Sequence, residues 1–246
     1  MKRTMPVLLF LFFICSCSSN GGSSGGLTLV AESEGGRLYK AGPVSVLQLN
    51  GTHYQMGRQY GKLLKGDLSR LYDSVIATFS PRYPYPRMKQ IADAIYAVYP
   101  QKYKDILTGM AETSGLGIEK QIVLNALEFF PKIDGSVPRN CSGIGVWGDY
   151  TAGGPLIFGR NNDDAEIYKT FGAYTLVAVF NPTDGGIPAA IVNYAGAIYA
   201  PNGMNRHGLF LELNGGNWQG YLVDRPFIFA ELFELLQTCT TQDEMH

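Results

Sequence analysis

The stretch Asn140-Cys-Ser-Gly-Ile-Gly-Val-Trp-Gly-Asp-Tyr-Thr-Ala-Gly-Gly-Pro-Leu-Ile-Phe-Gly-Arg-Asn-Asn-Asp163 decides how the chain is read. Two short apolar segments, Gly143 to Trp147 and Pro155 to Gly159, flank a glycine-rich turn, the pattern of a β-hairpin. With that turn centred near Thr151 and Ala152, antiparallel partners carry numbers summing to about 303. Cys141 then falls opposite the region of residue 162, so Arg160 and Asp163 are expected alongside it. A thiol at the start of a strand, with an arginine and a carboxylate beside it, sits where the thiolate is favoured.

Working outward, the chain after the hairpin continues as short apolar segments: Ala173 to Phe180, Ala189 to Tyr194 and Gly208 to Leu213. Turn residues such as Asn181-Pro-Thr-Asp-Gly-Gly186 and Asn202-Gly203 separate them, which predicts an antiparallel sheet. Asp224 is then expected to cap a helix from Phe227 to Cys239, with Pro226 in its first turn.

Before the hairpin the texture is helical. Leu27 to about Leu49 alternates, as edge strands do. From Gly51 an apolar stripe of Leu63, Leu64, Leu68, Leu71, Val75 and Ile76 predicts one long helix. Gly57 and Gly61 lie on one face of it. Glycine costs about 1 kcal/mol in a helix interior, so this pair predicts close approach of another backbone. The prolines of Ser80-Pro-Arg-Tyr-Pro-Tyr-Pro86 end that helix in a loop, or in a lid lined by Tyr83 and Tyr85. Further helices are expected over Met88 to Tyr99, Tyr103 to Glu112 and Ile118 to Phe130, with a turn at Ser114 to Gly117.

The 246 residues suffice for a buried core, and 46% hydrophobic with 17% charged residues describes a globular protein. The formal net charge is -1 and no basic run stands out, which argues against nucleic acid as a partner. Lys2 and Arg3 precede an apolar run from Pro6 to Ile14, too short to span a bilayer, as in an export signal. Ile14-Cys-Ser-Cys17 resembles the bacterial lipoprotein processing box, with Cys17 as the lipidated residue. Residues 18–26 read as a flexible Ser/Gly tether. These features imply a membrane anchor and a bacterial cell-envelope location, periplasmic or surface-exposed; a cleaved secretory signal with incidental cysteines is the alternative.

Cys141 and Cys239 then remain in the body of the chain and could form one disulfide, but the surroundings of Cys141 argue otherwise. The chain has three histidines, His53, His207 and His246. His207 lies in a polar turn, so a Cys–His dyad is poorly supported, and no metal-ligand spacing exists. One solution needs no histidine. A cut before Cys141 would give that residue a free α-amine, whose reference pKa is about 7.7 to 8.0. Nucleophile and base would then belong to one residue.

Cys141-Ser142 followed by Phe158-Gly159-Arg160-Asn161-Asn162-Asp163 is similar to the N-terminal Cys and the Gly-Arg-Asn-x-Asp strand of choloylglycine hydrolases, the group of bile salt hydrolases and penicillin V acylases. Gly203-Met204-Asn205-Arg206-His207-Gly208-Leu209, then Leu213-Asn214, resembles their Gly-Met-Asn-x-x-Gly-Leu segment and downstream Leu-Asn. Gly51, Tyr54, Gly57 and Gly61, Gly109 to Glu112 and Leu124 to Glu128 resemble the prosegment of the isopenicillin-N acyltransferase (peptidase C45-like) and phospholipase-B-like proteins. Together these place the chain beside the N-terminal-nucleophile (Ntn) hydrolases.

That resemblance implies an α+β protein with the four-layer αββα Ntn sandwich of antiparallel sheets, here incomplete. A mainly helical prosegment, 27–140, would remain packed on a catalytic portion, 141–246, expected to be truncated. It implies that Cys141 is the nucleophile, that Arg160 and Asp163 hold its amine and thiol in register, and that Asn214 donates to the oxyanion. The peptide bond between Asn140 and Cys141 would be the site of autocleavage. The implied substrate is a small-molecule acyl amide with a linear C–N bond, hydrolysed or transferred through a Cys141 thioester, with no cofactor. A non-catalytic envelope lipoprotein of Ntn-like fold is the alternative. Tyr194, Tyr199 and Trp218 could line an acyl pocket, with core packing as the default.

Overall fold

The computed structural model of the chain describes residues 26–133, 140–163, 166–214 and 228–245. The expected export signal, the lipidation site Cys17 and most of the tether lie outside the described residues. So do Asp224, Pro226, Trp218 and the side chains of Asn140 and Asp163.

The fold is α+β. Three strands open it: β1 (Thr28–Ser33), β2 (Gly36–Ala41) and β3 (Val44–Gly51). Five helices follow, α1 (His53–Leu63), α2 (Lys65–Phe79), α3 (Tyr85–Ala97), α4 (Gln101–Ser114) and α5 (Gly117–Asn125), then a single turn, α6 (Phe130–Ile133). The hairpin strands are β4 (Asn140–Val146) and β5 (Ile157–Asp163). A 3-10 segment (Glu166–Tyr174) leads to β6 (Thr175–Pro182), β7 (Ala189–Tyr194), β8 (Asn202–Asn205), β9 (Phe210–Glu212) and helix α7 (Ile228–Thr238).

Among the described residues, seven strands form one sheet in the order β1-β2-β3-β6-β7-β8-β9, while β4 and β5 pair separately. The sheet is antiparallel except where β3 runs parallel to β6, with Leu47 opposite Ala178 and Leu49 opposite Phe180. Of the three strands expected at an edge, β1 lies there, whereas β2 and β3 do not. β3 is interior, and both Val46 and Leu47, which point to opposite faces, are buried. β1 to β3, before residue 140, and β6 to β9, after it, thus belong to one sheet and one core.

One face of the sheet carries the helices. Across it run the paired positions Leu38, Leu47, Ala178, Ile191, Gly203 and Leu211. Helix α7 covers its far half. Phe233 packs on Phe180 with ring centroids 5.2 Å apart, and Leu236 fills the space a side chain at Gly203 would need. Helix α1 covers the near half, where Gln59 lies against Gly36. Helix α4 crosses α1 and reaches α7, with Tyr103 stacked on Phe233 at 4.9 Å and its hydroxyl donating to Glu234. On the opposite face, Phe158 of β5 stacks on Phe210 of β9 at 4.2 Å, so the hairpin forms a layer of its own there.

The glycine pair on α1 has the predicted consequence. A Cβ on Gly57 would run into the Ile106 backbone, one on Gly61 into the Met110 backbone, and one on Gly109 into the Tyr54 carbonyl. Helices α1 and α4 therefore cross backbone to backbone. The long helix expected from Gly51 is two helices, because Leu64 (φ -112°, ψ 19°) leaves helical geometry between α1 and α2. The helix expected to reach Phe130 stops at Asn125, whose side chain is needed elsewhere. It accepts from Ile198 N at 2.7 Å and donates to the Tyr99 hydroxyl at 3.0 Å. Tyr60 accepts from Gly196 N and Gln121 donates to Gly196 O. The buried segment 195–200 thus receives the polar partners its backbone requires from α1 and α5. The prolines at 84 and 86 start α3 at Tyr85, three residues earlier than expected, since proline is tolerated in a first turn. Tyr83 is buried against Phe79, as in a helix-to-helix connection. Tyr194 and Tyr199 are also core residues.

Candidate active site at the start of the hairpin

The hairpin fixes the site by register. Asn140 pairs with Asp163, Cys141 with Asn162, Ser142 with Asn161 and Gly143 with Arg160, each pair summing to 303 as the turn position predicts. Side chains of directly paired residues share a face. Cys141, Gly143, Gly145, Asn162, Arg160 and Phe158 therefore share one face, the face Phe158 turns toward β9.

Within that layer the Arg160 guanidinium is clamped. Its Nη2 donates to the Leu213 carbonyl at 2.8 Å and lies 3.3 Å from Cys141 Sγ. Arg160 Nε is buried with no partner among the described residues. The thiol is half-buried and can donate to Asn162 Oδ1 at 3.7 Å. Asp163 is placed by backbone register opposite Asn140, so both ends of the expected cleavage site lie at the mouth of the hairpin.

Asn214 stands one residue beyond the carbonyl that anchors Arg160. Its amide donates to Glu212 Oε1 at 2.9 Å. The sequence signals Glu212 only as a lone carboxylate in Phe210-Leu-Glu-Leu213, an apolar strand in which a carboxylate needs a partner. Its carboxylate occupies the space that a side chain on Gly143 would take.

The disulfide alternative is not formed: Cys141 and Cys239 are both free. Cys239 directly follows α7, is buried, and donates to the Glu244 carbonyl at 3.4 Å. Asn205, in the Gly-Met-Asn segment, is structural. It is buried and donates to the Leu236 and Cys239 carbonyls at 3.0 and 2.7 Å, while its Oδ1 accepts from His207 N and Leu209 N. His207 is an exposed turn residue. His53 is buried instead, its Nδ1 bonded to Asp184 at 2.7 Å and its backbone N–H to the same carboxylate at 3.0 Å. Partial burial alone would raise the Asp184 carboxyl, but the bonds from His53 outweigh it and hold it below its ordinary value. This pair lies at the turn after β6 and joins the start of α1 to it.

No family model matches the chain. It is similar to two proteins of Dictyostelium discoideum. Protein dcd1A is 24% identical over 213 residues, covering 73% of this chain and 47% of dcd1A. Protein dcd1B is 27% identical over 187 residues, covering 64% of this chain and 36% of dcd1B. The chain therefore spans about half or less of the length of these relatives.

Proposed function

We propose that this chain is a self-processed cysteine Ntn hydrolase that cleaves a linear amide C–N bond, or transfers its acyl group, through a thioester on Cys141. The observation that carries the reading is the placement of Arg160 Nη2 3.3 Å from Cys141 Sγ, with the same nitrogen held by the Leu213 carbonyl. A guanidinium so fixed presents a donor and a positive charge to the sulfur. The hairpin register brings residues 141 and 160 together, and Leu213 joins them from the seven-stranded sheet.

Activation uses the same sulfur. Cys141 Sγ attacks the Asn140 carbonyl carbon, the Asn140–Cys141 C–N bond breaks, and the released nitrogen, which keeps its own hydrogen, takes the thiol proton to become the α-amine. Water then hydrolyses the resulting thioester, which returns the Cys141 thiol and leaves Asn140 with a carboxylate. In turnover the α-amine takes the thiol proton and sulfur attacks the substrate carbonyl. The tetrahedral oxyanion receives a hydrogen bond from Asn214, the C–N bond breaks, and the leaving amine takes that proton. Water or an acceptor amine resolves the thioester. Asp163, opposite the cut, is assigned to hold the new amine.

We read the helices, the seven-stranded sheet and the hairpin as three layers of an αββα sandwich. Because β3 and β6 pair across the cut, the 27–140 and 141–246 pieces would stay together after it. Cys17 is assigned as the lipid anchor of an envelope protein on its sequence surroundings alone; the two relatives come from a eukaryote.

The test is acyl trapping. Purified protein is mixed with N-acyl amino acids, bile amides and penicillins, quenched in acid and peptide-mapped. An acyl adduct on Cys141, lost with Cys141→Ala, is expected. Turnover that survives Cys141→Ala removes the proposal.

A further inference from the structure

We propose that Glu212 is a positioning residue of this site, one that holds the Asn214 amide in place for the oxyanion; the inference rests on the reading of Cys141 just given. Three observations meet here. Asn214 Nδ2 donates to Glu212 Oε1 at 2.9 Å, so a carboxylate, which can only accept, fixes which end of the Asn214 amide faces it. Glu212 Oε2 is buried and has no partner among the described residues. The carboxylate lies against Gly143, where any Cβ would collide with it, and Gly143 is two residues along the strand from Cys141 and opposite Arg160.

Each observation bears on the others. A carboxylate placed between two β layers with one oxygen unpaired costs stability. The strand of the nucleophile leaves room for it by having no side chain at residue 143. Asn214 is otherwise an exposed residue just past the end of β9, with no other hydrogen bond from its side chain among the described residues. Without Glu212 its amide would rotate freely, and its remaining N–H would be spread over several directions. A donor that acts only on the developing oxyanion must be in place beforehand, and a misplacement of about 1 Å can cost 100-fold. Glu212 acts through Asn214 and touches no reacting atom.

The test uses the full chain and the variants Glu212→Ala, Glu212→Gln, Gly143→Ala, Asn214→Ala, and the pairs Glu212→Ala/Asn214→Ala and Glu212→Ala/Gly143→Ala, each first checked by melting. One readout needs no turnover: the Asn214 side-chain NH2 resonances in 15N-labelled protein, assigned by their absence in Asn214→Ala. One of the two protons should be shifted and slow to exchange in wild type and Glu212→Gln. In Glu212→Ala and Gly143→Ala the two should average toward free-amide values.

The second readout is kinetic. Glu212→Ala should lower kcat by about 10- to 100-fold with KM within about twofold, and Glu212→Gln should restore most of it. Added to Asn214→Ala it should cost nothing more, and Gly143→Ala should cost nothing more once Glu212 is alanine. The inference is overturned by unchanged kcat in Glu212→Ala, by losses that multiply with Asn214→Ala, or by an Asn214 amide indifferent to Glu212. A wild type whose Asn214 amide is held by Glu212 yet hydrolyses no linear amide overturns the Cys141 reading, and the catalytic role of Glu212 with it. Should Gly143→Ala fail to fold, the Glu212 variants decide alone.

Discussion

Replacing Gly57 with alanine tests the helix crossing on which the core is built. The new Cβ would stand 2.8 Å from the Ile106 carbonyl carbon and 2.9 Å from its Cα, and closer still to its oxygen. These are backbone atoms of α4, so no rotamer change relieves the contact; α1 and α4 must move apart. Overpacking of this kind costs up to about 3 kcal/mol. Alanine returns about 1 kcal/mol through its better helix propensity. The net is a loss of about 2 kcal/mol, which for a chain of this size lowers Tm by roughly 4 to 8 °C. Gly66→Ala is the control, since its Cβ would meet only the mobile tip of Arg70 on an exposed face of α2. That variant should gain up to about 1 kcal/mol. Scanning calorimetry on both reads the difference. A Gly57→Ala protein that melts at or above wild type would refute the backbone-to-backbone crossing.

Asn205→Ala should destabilise by about 3 kcal/mol in urea titration, because it leaves two buried carbonyls and two backbone N–H groups without their partner. In the native protein an alkylating reagent should modify Cys141 well before Cys239, which is only 6% exposed; peptide mapping over time reads the order, and Cys239 reacting first would contradict the placement of α7. Asp184 has a lowered carboxyl, so the stability it contributes is present above its unfolded value, about 3.9, and fades as pH falls through the lower folded one. Wild type should therefore lose more of its urea midpoint between about pH 5 and pH 3 than Asp184→Asn does; equal losses would remove His53–Asp184 as a source of acid sensitivity.

Local geometry was legible where the chain itself carries the constraint. The turn near Ala152 sets the hairpin register, so the meeting of residues 141 and 160 could be worked out by adding numbers. Gly57 and Gly61 announced a close neighbour, because glycine in a helix has few other uses. What stayed hidden is non-local. Nothing near Val44 specifies a partner 131 residues away, yet Ser45 pairs with Leu176. A hint lay in Val46-Leu47, adjacent apolar residues that a half-exposed edge strand does not need. The break at Leu64 leaves the apolar stripe intact and so escapes a periodicity argument. Asn125 ends α5 because the loop at 195–200 needs its amide, a demand made from across the fold. His53 follows the capping residue Thr52 and reads as an ordinary first-turn residue until Asp184 is brought to it. Glu212 was visible as a carboxylate out of pattern, but its neighbour Gly143 belongs to another layer.

Self-processing is a covalent event, and intact-mass measurement of the purified full-length protein reads it without any substrate. Two co-purifying polypeptides that meet between Asn140 and Cys141 are expected, with one uncut polypeptide in Cys141→Ala. A wild-type protein that remains a single chain through that bond would contradict it.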